Sequence, residues 1–279
     1  MPAPIASPDL PQRPLTRALS HPRAIALGCI AVLVAGGWAY LGLLLAGQYA
    51  GNLFTALCQP LYGPAEVTAA SLALAFAMWC AMALAMMLPT AGPMIMTYAD
   101  LAATAAEKGE PAASPAVLTA GYVAVWLAAA FALAALQALL AGFGLLDNLL
   151  SVASPLFAGA LFLVAGAYQF SALKHACVTQ CQRPFPFFFA HWTADPRGVF
   201  RLGVTQGLYC LGCCWAMMLL MFAIGVMSVF WMAMLGAVMA TEKVTTTTRF
   251  SRALGALFCL IGLAIIVSAV IARWPTKLA

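Results

Sequence analysis

Residues 202–241 read LGVTQGLYCLGCCWAMMLLMFAIGVMSVFWMAMLGAVMAT, forty positions without one Asp, Glu, Lys or Arg. As a single helix this stretch would measure about 60 Å, twice the ~30 Å hydrocarbon core of a bilayer. It therefore reads as two limbs folded back near Gly225, Val226, Met227 and Ser228, the second limb short enough to be tilted or re-entrant. Five more windows are equally free of charge: 24–65, 67–99, 111–146, 148–173 and 253–272. Each holds the roughly 20 apolar residues that a membrane helix needs. The first of them is apolar to about Gly47. It then carries Gln48, Asn52, Gln59, Pro60, Gly63 and Pro64, which read as an outside loop near the interface. The expected fold is all-α, a polytopic transmembrane bundle of about seven spans, or six if 203–242 is one. The spans fall near 24–47, 70–98, 115–141, 152–173, 203–225, 228–242 and 253–272.

Composition agrees with this reading. Hydrophobic types make up 65% of the 279 residues and charged types 8%. A soluble domain has about 45–50% and 25%. Too few charges exist to cover a water-soluble surface, and a chain so rich in apolar residues is not an intrinsically disordered one. The chain is too long, and its nine cysteines an odd count, for a small disulfide scaffold.

Basic residues orient the bundle. With seven spans and a cytoplasmic N-terminus, eleven Lys and Arg fall inside and only Arg273 and Lys277 outside. That asymmetry is the usual mark of the cytoplasmic side. The Pro-rich residues 1–23 read as a disordered cytoplasmic tail, and 24–279 as one transmembrane domain with a cytoplasmic or interfacial loop at 174–202. The net charge of +5 suits anionic lipid head groups, and no nucleic-acid motif accompanies it. The expected partners are the bilayer, a metal ion and other proteins of metal handling, with no nucleic acid.

Sulfur is not spread evenly. Apart from Met1, six methionines fall between Met78 and Met96 and seven between Met217 and Met239. A residue used only to fill gaps would be scattered over all spans. Met78, Met82 and Met86 are four apart and share a helix face, with Met87 beside them. Pro89 and Pro93 follow and should break the helix, which a membrane tolerates only where protein or a cavity covers the break. In the fifth span Cys210 and Cys214 are four apart, Cys213 lies beside them, and Met217 and Met218 continue the face. Gly203 and Gly207 form a small-xxx-small pair that lets another helix approach closely. The two sulfur faces can meet at one depth if these helices face each other.

Before the fifth span, KHACVTQCQRPFPFFFAHW carries His175, Cys177, Cys181 and His191. Cys177 and Cys181 have helical spacing, and the phenylalanine run suits the membrane interface. Tyr168 and Gln169 are polar groups that can face the same cavity. Glu242 and Lys243 close the sixth span, with Glu242 expected in an interfacial salt bridge. Cys29, Cys58, Cys80 and Cys259 stand alone and read as small buried apolar residues. Thiolates and thioethers select copper(I), and thiolates also hold zinc. A bare thiolate inside a membrane is costly, whereas a coordinated metal balances its charge.

The strings MWCAMALAMMLPTAGPM, AGAYQFSALKHACVTQC and GLYCLGCCWAMMLLMFAIGVMSVFWMA, with the following EK, resemble a bacterial domain-of-unknown-function family described as predicted metal-binding integral membrane proteins. The resemblance spans about residues 75–270. It implies an inner-membrane helical protein whose sulfur motifs fall on Met86 and Met87, Cys177 and Cys181, and Cys210, Cys213 and Cys214.

The expected function is soft-metal binding, with copper(I) first and zinc second, in transport or delivery. The candidate ligands are Cys210, Cys213, Cys214, Cys177, Cys181, Met86, Met87, Met217, Met218 and His175. No phosphate loop, dinucleotide fingerprint or Ser-His-Asp set is present, so an enzyme reading has little to rest on. Two other readings fit the same residues: a membrane thiol-disulfide oxidoreductase, and a structural or assembly subunit of a membrane complex. Reduced cytosolic-side thiols weigh against the former.

Overall fold

The structure, a computed structural model, describes residues 22–50, 69–146, 152–226 and 229–273. Residues 1–21 of the expected tail with His21, the loop residues 52–64 with Cys58, and Met227 and Ser228 lie outside the described residues. Nine helices occur among those described. They are α1 (Pro22–Ala50), α2 (Ala69–Glu107), α3 (Pro115–Gly142), α4 (Pro155–Tyr168), α5 (Ala172–Gln182), α6 (Pro184–Ala190), α7 (Pro196–Ile224), α8 (Val229–Val244) and α9 (Thr248–Arg273).

Local sequence sets several of their starts. Ser114, Ser171 and Asp195 cap α3, α5 and α7 by accepting hydrogen bonds from first-turn amides, and Pro115 and Pro196 fill first-turn positions that need no donor. Gly225, at φ 105°, ends α7 in a conformation that favours glycine.

The helical class matches expectation, but the span count changes. Five helices among the described residues are long and apolar enough to cross a membrane: α1, α2, α3, α7 and α9. A sixth results if α4 and α5, bent by 65° at their junction, act as one broken span. α8 has 16 residues and reaches only about 24 Å, short of a full crossing. The sixth expected span, 228–242, is thus the short limb that its length suggested.

Two further expectations are corrected. Residues 174–202 are mostly helix, because Ser171 and Asp195 start helices and α5 buries Lys174, Cys177 and Val178. Nor do Pro89 and Pro93 break α2, which runs 39 residues without interruption. Each proline removes one backbone donor, and the remaining bonds of so long a helix carry it through.

Packing centres on α2, α3 and α7. α3 lies against α7 where glycines permit it: a β-carbon on Gly203 would strike the Leu118 carbonyl, and one on Gly121 the Phe200 carbonyl. Gly207 meets Val125, so the small-xxx-small pair does what its spacing predicts. α3 also packs on α2, held by a hydrogen bond from Trp79 Nε1 to Gln137 Oε1 at 2.8 Å. α1 leans on α2, and α9 pairs with α4. At the α4–α9 contact Cys259 Sγ lies within 2.6 Å of where a β-carbon on Gly166 would stand; it and the other described lone cysteines, Cys29 and Cys80, are half-buried rather than buried as expected. α9 turns Leu257, Leu260, Leu263 and Ile271 outward, as a lipid-facing helix would.

Candidate soft-donor centre

The methionines point inward. Of the twelve described beyond Met1, ten are buried, Met96 is half-buried and Met234 is exposed. α2 and α7 meet through side chains while their backbones stay apart, with no close helix–helix packing between them. Cys214 Sγ lies 3.8 Å from Met87 Sδ, and the rings of Trp79 and Phe222 meet at 5.4 Å, tilted by 38°. Met87 of the second expected span and Cys214 of the fifth therefore do meet, whereas Met86 is turned to α8.

Helical spacing on α7 puts Cys210, Cys213 and Cys214 on one face within about one turn, all buried. Their side chains interact with one another, and Cys181 of α5 reaches Cys213. Cys177, a turn earlier on α5, lies against Gly212, where a β-carbon would come within 2.7 Å of its Sγ. Gly212 is thus the notch that seats α5 on α7. Tyr168 OH, at the end of α4, donates to the Gly212 carbonyl. Gln169, in contrast, is turned toward Gly255 on α9.

Three other helices bring polar groups. Tyr122 of α3 donates to the Met87 carbonyl at 3.1 Å, and its hydroxyl also lies 2.9 Å from Cys210 Sγ. Lys243 of α8 reaches Cys210 Sγ at 2.9 Å and donates to Thr90 Oγ1 of α2 at 2.6 Å. The centre therefore contains one ammonium held against a thiol inside the bundle. Lys174 and Glu242, both buried, form an ion pair at 2.7 Å. Gln182 Nε2 donates to the carbonyls of Glu242 and Thr245 at 2.9 and 2.8 Å. These contacts clamp α5 to the end of α8 and so hold Cys181 and Lys243 beside α7.

The thiols are near one another but not gathered around one point. Cys213 and Cys214 both donate back to the Cys210 carbonyl, at 3.1 and 2.9 Å. Among the described residues no three His, Cys, Asp or Glu side chains form a group able to hold a metal ion as they stand. Rotation about the Cα–Cβ bonds of Cys213 and Cys214 would free both sulfurs from that carbonyl. All eight described cysteines are free thiols.

Each expected ligand has its place. Cys181, Cys210, Cys213, Cys214 and Met87 come together, with Cys177 at the edge. Met86 does not join its neighbour Met87, because it turns to α8 and packs on Gly236. Met217 and Met218 lie buried a turn beyond the cysteines. His175 is half-buried on α5, more than 100° around the helix from the side bearing Lys174, Cys177 and Cys181, and the structure does not bring it to the thiols. His191 caps α6, with Nδ1 2.9 Å from the Phe187 carbonyl. Glu242 does form the expected ion pair, with Lys174, and both side chains are buried within the protein.

Sequence reading missed Lys243, Tyr122 and Thr90. Lys243 looked like a charge marking the end of a span. Its signal was present in the spacing of Met232, Met239 and Lys243, which share one face of a helix.

The architecture and this centre define an all-helical protein with long apolar helices around a buried thiol–thioether core. A family model described as copper chaperone matches residues 76–265, and the chain belongs to that family. The match includes every residue of the centre. No curated protein and no solved structure matches the chain.

Proposed function

We propose that this protein binds copper(I) within the membrane at Cys181, Cys210, Cys213, Cys214 and Met87 and delivers it to other proteins of copper handling. The observation that carries this reading is the convergence of thiols from two helices with a thioether from a third, beside one fixed positive charge. Soft donors of this kind select copper(I). Membership in a copper chaperone family supports the choice of metal. Copper is cargo in this scheme, taken up by rotation of Cys213 and Cys214 away from the Cys210 carbonyl. The bacterial inner membrane suits the long apolar helices and the basic residues gathered on one side of the sequence.

Elemental analysis of anaerobically purified protein, wild type beside a Cys210/Cys213/Cys214→Ser variant, tests the proposal. Copper should co-purify with the wild type and be lost from the variant. Equal copper in both, or zinc in its place, would overturn it. The pairing of Cys181 with Cys213 favours thiol–disulfide exchange as a second reading. That reading requires a disulfide that forms and breaks in the wild type with a thiol or quinone partner.

A further inference from the structure

We infer that copper reaches this centre as an anionic copper(I) bis-thiolate complex, not as a bare cation, and that Lys243 is the residue that selects that form. The inference rests on the copper(I) reading above and names the chemical form of its cargo. Cys210, Cys213 and Cys214 are buried, whereas Cys181, Thr90 and Lys243 are half-buried. Those three form the side of the centre nearest its surroundings. Lys243 stands in the last turn of α8. Beyond it the chain passes through residues 245–247 into α9, whose first turns hold the exposed Arg249 and Arg252. Such charges keep to the membrane surface. The end of α8, and Cys210 with it, therefore lies toward the edge of the apolar layer. The basic residues of the sequence read this side as cytoplasmic, where thiols are kept reduced.

The ammonium stands between that side and the thiols. Its Nζ lies 2.9 Å from Cys210 Sγ and 2.6 Å from Thr90 Oγ1. Lys174 adds no free charge, because Glu242 pairs with it. A copper species approaching Cys210 from this side meets a fixed positive charge, which repels a bare cation and attracts an anion. Copper(I) held by two thiolates carries one negative charge. Transfer then balances by exchange alone. Two copper–sulfur bonds to the carrier break, and two to protein cysteines form. Each protein thiol passes its proton to a departing carrier thiolate, and copper stays copper(I). The complex beside Lys243 carries one negative charge before and after. A bare cation would instead have to drive two protons out of the centre, and the carboxylate of Glu242 is already engaged by Lys174.

Donors that share a two-sulfur copper(I) core but differ in outer charge test this. The complex with 2-mercaptoethanol carries one negative charge, and that with cysteamine, whose ammonium groups remain, one positive charge. Initial rates of transfer to the full-length protein in nonionic detergent would be read anaerobically as protein-bound copper after rapid desalting. The wild type should take copper from the anionic donor about tenfold faster or more. Salt at about 1 M, where the Debye length is about 3 Å, should erase most of that preference. Lys243→Met should bring the ratio of the two rates near one, and Lys243→Arg should keep it. The ratio is the readout because weaker binding alone lowers both rates together. Native melting temperatures in both variants confirm that they fold. Arg249→Gln removes an exposed cation elsewhere and should leave the ratio unchanged; an equal loss there would assign the preference to overall charge and overturn the inference. A Cys-x-x-Cys peptide carrying copper(I) at one net negative charge is the third donor. It and the free-thiol complex should both outpace the cationic one, and the faster of the two identifies the carrier. Equal wild-type rates from donors of opposite charge would overturn this inference alone. Copper taken from no donor would overturn the copper reading with it.

Discussion

Replacing Lys174 with methionine should destabilise the protein more than replacing both members of its ion pair. Lys174 Nζ lies 2.7 Å from Glu242 Oε2, with the two side chains 1% and 3% exposed. Glu242 Oε1 has no hydrogen-bond partner, so the lysine is the main compensation for that carboxylate. Removing the lysine leaves a buried, unpaired charge, a change that costs about 3–5 kcal/mol. At roughly 2–4 °C per kcal/mol for a chain of this size, the melting temperature should fall by ~6–20 °C. The Lys174→Met/Glu242→Leu double variant removes the charge as well as its partner and should return close to wild type. Thermal unfolding in detergent, followed by tryptophan fluorescence, compares the wild type with the single and the double variant. α5 should loosen from α8 in the single variant, and maleimide labelling of Cys177 and Cys181 should accelerate with it. Equal melting temperatures for the single and double variants, or unchanged labelling, would refute the view that this pair clamps α5 onto the bundle.

Gly203→Leu should abolish stable folding, since any side chain there meets the Leu118 carbonyl, whereas Gly36→Ala, with open space around it, should leave the melting temperature within about 1 °C. Tyr122→Phe removes the hydroxyl that bonds the Met87 carbonyl and contacts Cys210; a loss of about 1 kcal/mol in denaturant unfolding is expected, together with weaker copper retention in chelator competition. Lys243→Met should lower copper(I) affinity by about tenfold or more in the same competition, with Lys243→Arg recovering part of it, because the cation beside Cys210 is removed in one and kept in the other.

The sequence made the fold class legible because charge-free windows of membrane length admit few alternatives. It also located the cysteines of α7 and the close approach at Gly203 and Gly207, since helical periodicity alone puts those residues on a face. What it could not place was anything decided between helices. Met86 and Met87 are adjacent in sequence, yet one meets α8 and the other α7, and only the arrangement of three helices determines which. Glu242 and Lys243 present the same case. Adjacent charges at a helix end look like one interfacial feature, but they point about 100° apart, one to Lys174 and the other to Cys210. α5 was hidden because its Cys177 and Cys181 sit in a polar run that resembles a loop, and its burial depends on the Gly212 notch in a distant helix.

Charge bears on which soft ion the proposed centre suits. Inside a bundle of low dielectric, net charge is costly, so a loaded site tends toward neutrality. Copper(I) held by two thiolates carries one negative charge, and the ammonium of Lys243 beside Cys210 balances it. Zinc(II) held by four thiolates carries two, and the same lysine leaves one unbalanced. Lys174 offers no help, because its partner Glu242 already matches it. Met87 adds a donor without adding charge. The arrangement of one lysine, several thiols and a neutral thioether is therefore better matched to a monovalent ion with few ligands than to a divalent ion in a closed thiolate cage.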